Sequence, residues 1–282
     1  MRRIDLHLHT THSDGSLPPA QVLALAKKAG VTALAITDHD IMDGLPEAMQ
    51  AGAQLGIEVI PGIEISSRYN DEELHILGYF LDSQDDRLRG RLAQLRANRH
   101  KRNPLIIVKL NELGMGLTYE EVRALAGTES VGRPHIARVL MVKGYVQSAK
   151  EAFDRFLAYG KPAYVPRELP DPVVAIAWIR EARGVPVLAH PGWVKETESG
   201  LLALCERLKA AGLAGVEVHY STHKRAQTTE YLNIARRLDL LVTGGSDYHG
   251  ITKPDIEVGI GRGSLKVPEK LLEPLKKAAA VN

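Results

Sequence analysis

The chain carries three histidines and two aspartates within its first fifteen residues, in the run IDLHLHTTHSDG at 4–15. Imidazole and carboxylate groups are typical ligands of Zn²⁺, Mn²⁺ and Fe²⁺. His7 and His9 are two residues apart, so both side chains point to the same face of an extended strand. Asp14 follows in the next loop. This spacing predicts a metal site at the end of the first strand, although two surface histidines on an edge strand would give the same pattern.

Side chains of the same types recur near the ends of later apolar runs. Each of these side chains alone has an ordinary explanation, such as a helix N-cap or a solvated loop. No single ordinary explanation accounts for all of them together. In α/β barrels the active site lies at the C-terminal ends of the strands. We therefore expect these residues to belong to one site. They are His39, Glu64, His75, His190, Asp247 and His249.

The nine candidate ligands comprise six histidines, three carboxylates and no cysteine. Nine ligands are too many for one ion, so we expect two or three ions. Three divalent ions carry more positive charge than three carboxylates cancel, and the surplus suits an anionic substrate such as a phosphate ester. The ions would also lower the pKa of a bound water, so a metal-bound hydroxide is the expected nucleophile.

Short apolar runs alternate with helical patterns along the chain, which is typical of βα units and a mainly parallel sheet. About seven strands in one chain favour a barrel over an open sheet. Helical patterns lie at 18–30, 44–56, 171–183, 200–211, 223–237 and 267–279. The predicted strands are RIDLHLH, VTALAITDHD, IEVIPGIEIS, ELHILGYFL, VPVLAH, GVEVHY and LDLLVTGGSD.

The stretch 86–165 breaks this alternation, because its pattern is helical without strands. We expect a small helical insertion domain there that contributes to the substrate site. The ranges 1–85 and 166–282 would then form the metal-binding barrel.

Composition sets further limits. The length of 282 residues suffices for one large α/β barrel. A net charge of +2 gives no strong field, so composition alone neither favours nor excludes nucleic acid. The single cysteine, Cys205, excludes a disulfide framework. We find no signal peptide and no apolar run of the roughly 20 residues that a membrane span needs. A cytoplasmic protein without an evident obligate protein partner is expected.

The segments HLHTTHSDG, ITDHD, GIEIS, HILGY, AHPG and GSDYHG resemble, in order, the motifs of the polymerase and histidinol phosphatase (PHP) superfamily. The resemblance covers nearly the whole chain. The segment VGRPHIARVL resembles the subgroup of nucleoside 3′,5′-bisphosphate phosphatases, which includes 5′-to-3′ exoribonucleases. The resemblance to this superfamily implies an α/β fold, namely a distorted (β/α)7 barrel with a small all-helical insertion.

The resemblance also implies a site with three metal ions, usually Mn²⁺, although Zn²⁺ and Fe²⁺ share these ligands. His7, His9, Glu64 and Asp247 would hold one ion. Glu64 would bridge to a second ion, held also by His75 and His190. Asp14, His39 and His249 would hold the third.

Substrate contacts are expected from the inserted segment. Arg133 and His135 flank Pro134 at a predicted helix N-terminus, where anions are favoured. A guanidinium matches a phosphate with two hydrogen bonds, although a surface arginine is an equal explanation from the residues alone. The resemblance favours Arg133 as a phosphate clamp, with His135 beside it. His219, predicted to share a strand face with Glu217, is assigned to a substrate phosphate by the same resemblance.

The expected reaction is hydrolysis of the 3′-phosphate of nucleoside 3′,5′-bisphosphates, and of short 5′-phosphorylated RNA in the 5′-to-3′ direction. Asp247 and His249 are the expected catalytic residues, and Asp247 or a water on the third ion could protonate the leaving oxygen. The alternatives are a phosphatase of the histidinol-phosphate type and a non-catalytic PHP module. The inserted GRPHIA segment argues against the first alternative, and the complete ligand set argues against the second.

Overall fold

A computed structural model describes residues 3–128 and 130–281. The described residues form seven strands in one sheet, and the strands are neighbours in chain order. They are β1 (Arg3–Leu8), β2 (Val31–Ile36), β3 (Glu58–Tyr69), β4 (Glu72–Tyr79), β5 (Val185–Leu188), β6 (Gly215–Tyr220) and β7 (Leu241–Gly245).

The sheet curves so that β1 meets the segment that follows β7. The amide of Asp247 donates to the carbonyl of His7 at 2.8 Å, and the amide of His9 donates to the carbonyl of Tyr248 at 3.0 Å. These bonds connect the two edge strands of the sheet at one end and nearly close it into a barrel. The predicted α/β barrel of seven strands is confirmed.

One strand runs against its neighbours. β4 is antiparallel to both β3 and β5, whereas the other adjacent pairs are parallel. Asn70 and Asp71 join β3 to β4 and have φ values of 46° and 63°. Positive φ at both central residues is the requirement of a tight type I′ hairpin turn. Because β4 is reversed, His75 near its beginning lies at the same rim as the ends of the parallel strands.

The α-helices of the described residues connect and cover the strands. Prolines begin several of them, and Gly56 ends the second in the left-handed conformation that glycine tolerates. They are α1 (Pro19–Lys28), α2 (Leu45–Leu55), α3 (Asp86–Glu112), α4 (Tyr119–Ala126), α5 (Arg133–Val142), α6 (Ala149–Ala152), α7 (Pro172–Glu181), α8 (Glu198–Ala210), α9 (Arg225–Arg237) and α10 (Leu272–Val281). By the measure of length and hydropathy, none of these described helices could span a membrane.

The range 86–165, here called the helical segment, holds α3 to α6 and has an apolar core of its own, with Ile106 and Ile136 in it. The first half of α3 packs elsewhere, because Leu88 and Leu92 join the core between the sheet and its covering helices. The two cores therefore meet within α3. The division of the chain into a barrel of residues 1–85 and 166–282 and an insertion domain of residues 86–165 stays a prediction.

Candidate metal centre

The end of β1 places two histidines against each other. Nε2 of His7 lies 3.1 Å from Nε2 of His9, and neither side chain is exposed. On the other side of the His7 ring, Nδ1 lies 3.0 Å from a carboxylate oxygen of Glu217. A neutral imidazole donates through one nitrogen and accepts through the other. Since Glu217 can only accept from Nδ1, the lone pair of His7 is on Nε2, in the arrangement seen at metal-binding histidines.

Glu64 of β3 lies at the centre of the histidines. Its carbonyl accepts from the amide of Asp40, which fixes the neighbouring loop against the strand. One carboxylate oxygen lies 2.9 Å from His75 and His190, and the other lies 3.1–3.2 Å from the remaining three rings. A single carboxylate thus contacts five imidazoles. They belong to His7, His9, His39, His75 and His190.

Asp14, in the loop after β1, extends the cluster away from Glu64. Its carboxylate lies 3.2 Å from Nε2 of His249 and 3.9 Å from Nε2 of His39. The ring of His249 stacks on that of His9, with centroids 4.0 Å apart. Nδ1 of His249 lies 2.9 Å from the carbonyl of Asp247, which leaves Nε2 to face Asp14.

The potential ligand atoms fall into three groups, within each of which they lie within 4.8 Å of one another. Two of the groups share His9, and His39 and Glu64 also belong to two groups each. His190 lies beside the third group, 3.4 Å from Nδ1 of His75. All nine candidate ligands therefore converge, but which ion each one holds stays a prediction. The groups are His9, Asp14, His39 and His249; His7, His9, Glu64 and Asp247; and His39, Glu64 and His75.

The charges of the cluster suit cations. Burial raises the pKa of Glu64, but the surrounding histidines lower it more, so it lies well below its ordinary value. Burial lowers the pKa of His9, but Asp247 and Glu64 raise it to about 9. Nδ1 of His39 is buried and lies 3.2 Å from Oε2 of Glu64, but it makes no hydrogen bond of good geometry among the described residues. Ionised carboxylates and neutral histidine nitrogens together form a donor set that fits divalent Mn, Zn or Fe.

Two residues that the sequence did not single out hold Asp247. The hydroxyl of Tyr220 donates to its Oδ2 at 2.6 Å, and Nζ of Lys253 lies 2.5 Å from the same oxygen. The other oxygen, Oδ1, faces His7 and His9 at 3.5 and 3.2 Å. Lys253 follows an irregular turn with no periodic pattern, so no sequence signal marked it. Glu217 had a signal, namely a carboxylate within the apolar strand GVEVHY.

Arg133 begins α5, as predicted, and lies close to the cluster. Its guanidinium contacts Glu73 at 2.9 Å, and Glu73 lies 3.8 Å from Nε2 of His75. The rings of Phe153 and Tyr164 lie 5.7 and 5.9 Å from the guanidinium carbon. One carboxylate therefore separates Arg133 from a candidate metal ligand.

The other two predicted substrate residues differ in their surroundings. His135 is buried, and its Nδ1 accepts from the amide of Gly132 at 3.0 Å. Burial lowers its pKa to about 4. His219 is half-buried and has no hydrogen bond to the cluster within the described part of the chain. The register of β6 on β7 shifts between Glu217 and His219, and Tyr220 reaches Asp247. The roles of both histidines stay predictions.

Comparison with known proteins agrees with this geometry. Residues 5–164 match the model of the PHP domain family. A 5′-3′ exoribonuclease of Haemophilus influenzae is 36% identical over 248 residues, which cover 88% of this chain and 90% of that protein. A 3′,5′-nucleoside bisphosphate phosphatase of Chromobacterium violaceum is 32% identical over 92% of this chain and 91% of its own length.

The structural comparison covers still more of the chain. A solved structure from Bifidobacterium adolescentis, described as that of a candidate metal-dependent phosphoesterase, has a TM-score of 0.88 at 30% identity. The match covers 98% of this chain and 96% of that one. The agreement extends over both the strands that carry the histidines and the helical segment beside them. The chain belongs to the PHP domain family.

Proposed function

We propose that this phosphoester hydrolase removes the 3′-phosphate of nucleoside 3′,5′-bisphosphates such as pAp, and shortens 5′-phosphorylated RNA from its 5′ end. The observation that carries the proposal is the convergence of nine histidine and carboxylate ligands beside buried arginines. The centre would hold three divalent ions, with Mn²⁺ as the best fit and Zn²⁺ or Fe²⁺ as substitutes. Such ions neutralise phosphate oxygens and lower the pKa of a bound water. The proposed ligands are His7, His9, Asp14, His39, Glu64, His75, His190, Asp247 and His249.

The second phosphate of the substrate has a counterpart in an arginine cluster at the junction of barrel and helical segment. Two carboxylates contact it among the described residues, Asp40 and Glu73, so two of its four positive charges are not matched. The cluster consists of Arg99, Arg102, Arg133 and Arg167.

The unmatched charge is costly in this position. Arg99, Arg102 and Arg167 are buried, and buried charges without partners are strongly unfavourable. Nε of Arg99 and Nη1 of Arg167 have no hydrogen-bond partner among the described residues. Burial and the neighbouring arginines lower the pKa of Arg102. A phosphate dianion would balance the two unmatched positive charges and accept hydrogen bonds from the two unpartnered nitrogens. This favours a bisphosphate as substrate over histidinol phosphate, which carries an amine instead of a second phosphate.

Residues around Asp247 have separate tasks in this proposal. Burial raises the pKa of Asp247, but Lys253 and His249 lower it more, so the carboxylate is ionised near neutral pH. An ionised carboxylate suits a metal ligand, and the catalytic roles predicted for Asp247 and His249 stay predictions. Lys253 supplies N–H groups at the same rim and is the better candidate to contact the leaving ribose oxygen. Arg133 positions the second phosphate, and His135 and His219 are the other predicted contacts to the substrate.

The test is hydrolysis by purified protein reconstituted with Mn²⁺. We expect phosphate and 5′-AMP from pAp, and stepwise release of mononucleotides from a 5′-phosphorylated oligoribonucleotide. Hydrolysis of histidinol phosphate alone would show that the proposal is wrong. With bound metal and no turnover of any phosphate ester, the non-catalytic module would be the better description.

A variant connects the activity to the centre. Glu64→Gln removes the charge that contacts five imidazoles, so we expect loss of bound metal and a fall in turnover by orders of magnitude. Glu58→Gln is the matched control, because Glu58 lies on the same strand as Glu64 and pairs with Lys276 at the surface, away from the centre. Metal content by mass spectrometry and phosphate release should separate the two variants. Equal behaviour would contradict the assignment of the centre.

A further inference from the structure

A half-exposed tryptophan lies against the metal centre. Trp193 ends the short turn after β5, and its ring stacks on that of His190 with centroids 4.1 Å apart and planes at 29°. Its side chain is nevertheless 50% exposed. The centroid of the Tyr220 ring lies 6.1 Å from that of the indole, with the planes nearly perpendicular, and Nζ of Lys253 lies 5.3 Å from the indole centroid. One of the largest apolar side chains is thus held at a polar rim, partly in water.

A cleft lies beside this ring, and one of the residues that line it contacts the arginine cluster. It has a volume of about 140 Å³ and lies between the β3–β4 turn and the loop after β5. Trp193 and Glu73 both line it, and Glu73 is the carboxylate that contacts Arg133. Complete small-molecule pockets begin at roughly 300 Å³. The cleft is therefore large enough for part of a nucleotide, such as one planar ring, with the phosphates outside it.

We propose that the indole of Trp193 is the surface on which the base of a nucleotide substrate stacks. This inference rests on the proposed function, because it needs a substrate in which a base is one ribose away from the reacting phosphate. His190 links the two positions, since it contacts Glu64 on one side and the indole on the other. Stacking on an aromatic ring accepts any base, so Trp193 selects nucleotides as a class.

A purely structural tryptophan would look different. It would be buried, and its indole N–H would have a hydrogen-bond partner. Within the described part of the chain, the Trp193 side chain donates no hydrogen bond, and half of its surface is free. What holds the ring is its contact with His190 and the neighbouring cation of Lys253, and half of the residue remains exposed.

Kinetics with two substrates test the proposal. The pair is pAp and its abasic analogue, in which hydrogen replaces adenine. For Trp193→Ala we expect the KM for pAp to rise about ten-fold relative to the KM for the analogue, with metal content retained. Trp193→Phe should recover most of the discrimination, because a phenyl ring still stacks. If Trp193→Ala raises both KM values equally, or releases metal, the ring serves only to hold His190 and the proposal is wrong.

Binding gives a second readout that does not depend on turnover. The chain has two tryptophans, and Trp178 lies in α7 beside Arg91, away from the centre. Trp178→Phe leaves Trp193 as the single indole. In Zn²⁺-loaded protein, whose closed-shell ion is redox-inert, AMP should quench this fluorescence and the abasic monophosphate should not. Absence of quenching by AMP overturns the stacking. Quenching by AMP without hydrolysis of pAp keeps the stacking and rejects the proposed reaction.

Discussion

At the scale of single residues, burial decides which charges surround the centre. Asp14 is buried, and burial raises its pKa, but His249 and His39 lower it well below its ordinary value. His135 is buried without a carboxylate in contact, so desolvation dominates and keeps its ring neutral. A neutral imidazole beside the centre can donate to a phosphate without adding a competing charge.

The low pKa of His135 makes stability depend on pH. In the unfolded chain this imidazole takes up a proton below its ordinary pKa of 6.5, whereas the folded chain does so only near pH 4. The unfolded state therefore binds more protons between these values, and stability falls as the pH drops from 6.5 to 4. The full loss is on the order of 3 kcal/mol.

The matched variant is His135→Gln, whose side-chain oxygen can still accept from the Gly132 amide. Urea denaturation of the metal-free proteins at pH 7 and pH 4.5 gives the comparison. We expect wild type to lose more stability than the variant, because the remaining histidines titrate in both proteins. The same pH dependence in both would show that His135 is not the source.

Some residues of the site could be predicted from the sequence, and others could not. The ligands could be predicted because His7, Glu64 and Asp247 interrupt apolar strands with metal-binding groups. The arginine cluster could not, since Arg99 and Arg102 lie in a basic run that is typical of a solvated helix face. Trp193 was missed because a tryptophan after a strand has no distinctive pattern, and only its stacking on His190 sets it apart.

At the scale of elements, the junction between β1 and β7 decides whether the centre forms. A side chain at Gly245 would fall on the backbone of His7, so the two strands approach closely only because this residue is glycine. Two carbonyl–amide bonds then join the end of β1 to the segment that carries Asp247. Closure of the barrel and assembly of the ligands are therefore one structural event.

Gly245→Ala should separate these strands. Overpacking of this kind costs about 1–3 kcal/mol, and the shift of His7 should also reduce bound metal. Gly90→Ala is the control, since a Cβ there meets nothing and α3 should gain about 0.5–1 kcal/mol from the better helix former. Urea denaturation and metal analysis report both effects. Unchanged metal content in Gly245→Ala would show that the junction tolerates a wider spacing.

The order of the elements was predictable, and the direction of β4 was not. Alternation of apolar runs and helical patterns indicates how many strands there are, but a strand of either direction gives the same pattern. The turn at Asn70 and Asp71 was the available signal, because both residue types tolerate positive φ in a two-residue hairpin. The β6 shift next to His219 left no trace in the sequence, since it depends on the pairing with β7.

At the scale of the whole molecule, Asp40 holds the helical segment against the barrel. Its carboxylate accepts from the amide of Ser66 and from Arg99, both at 2.7 Å, and Arg167 lies 3.5 Å away. The residue follows β2 and is not exposed, whereas Arg99 belongs to α3. One buried charge thus joins elements that are far apart in the chain.

Asp40→Asn should release this connection. Asparagine accepts the positive φ of 56° at this position, so the backbone is not strained by the change. The loss of one partner of a buried ion pair costs about 3–5 kcal/mol. Asp171→Asn is the control, because Asp171 pairs with Arg207 at an exposed position, where such pairs contribute about 1 kcal/mol or less.

Urea denaturation and limited proteolysis distinguish the two variants. We expect Asp40→Asn to lower stability and to speed cleavage within α3 to α6, while Asp171→Asn changes neither. Resistance to protease equal to that of wild type would mean that apolar packing of α3 holds the helical segment without Asp40.

The hydrogen bonds between the two ends of the sheet also determine when the candidate ligands come together during synthesis. Asp247 leaves the ribosome long after His7, so these two ligands meet only when all the strands between them have emerged. The side chains of Glu64 and His75 come within 2.9 Å of each other much earlier, because a tight hairpin joins β3 to β4 at small entropic cost. A nascent chain therefore offers only a partial set of candidate ligands until the segment that carries Asp247 has emerged.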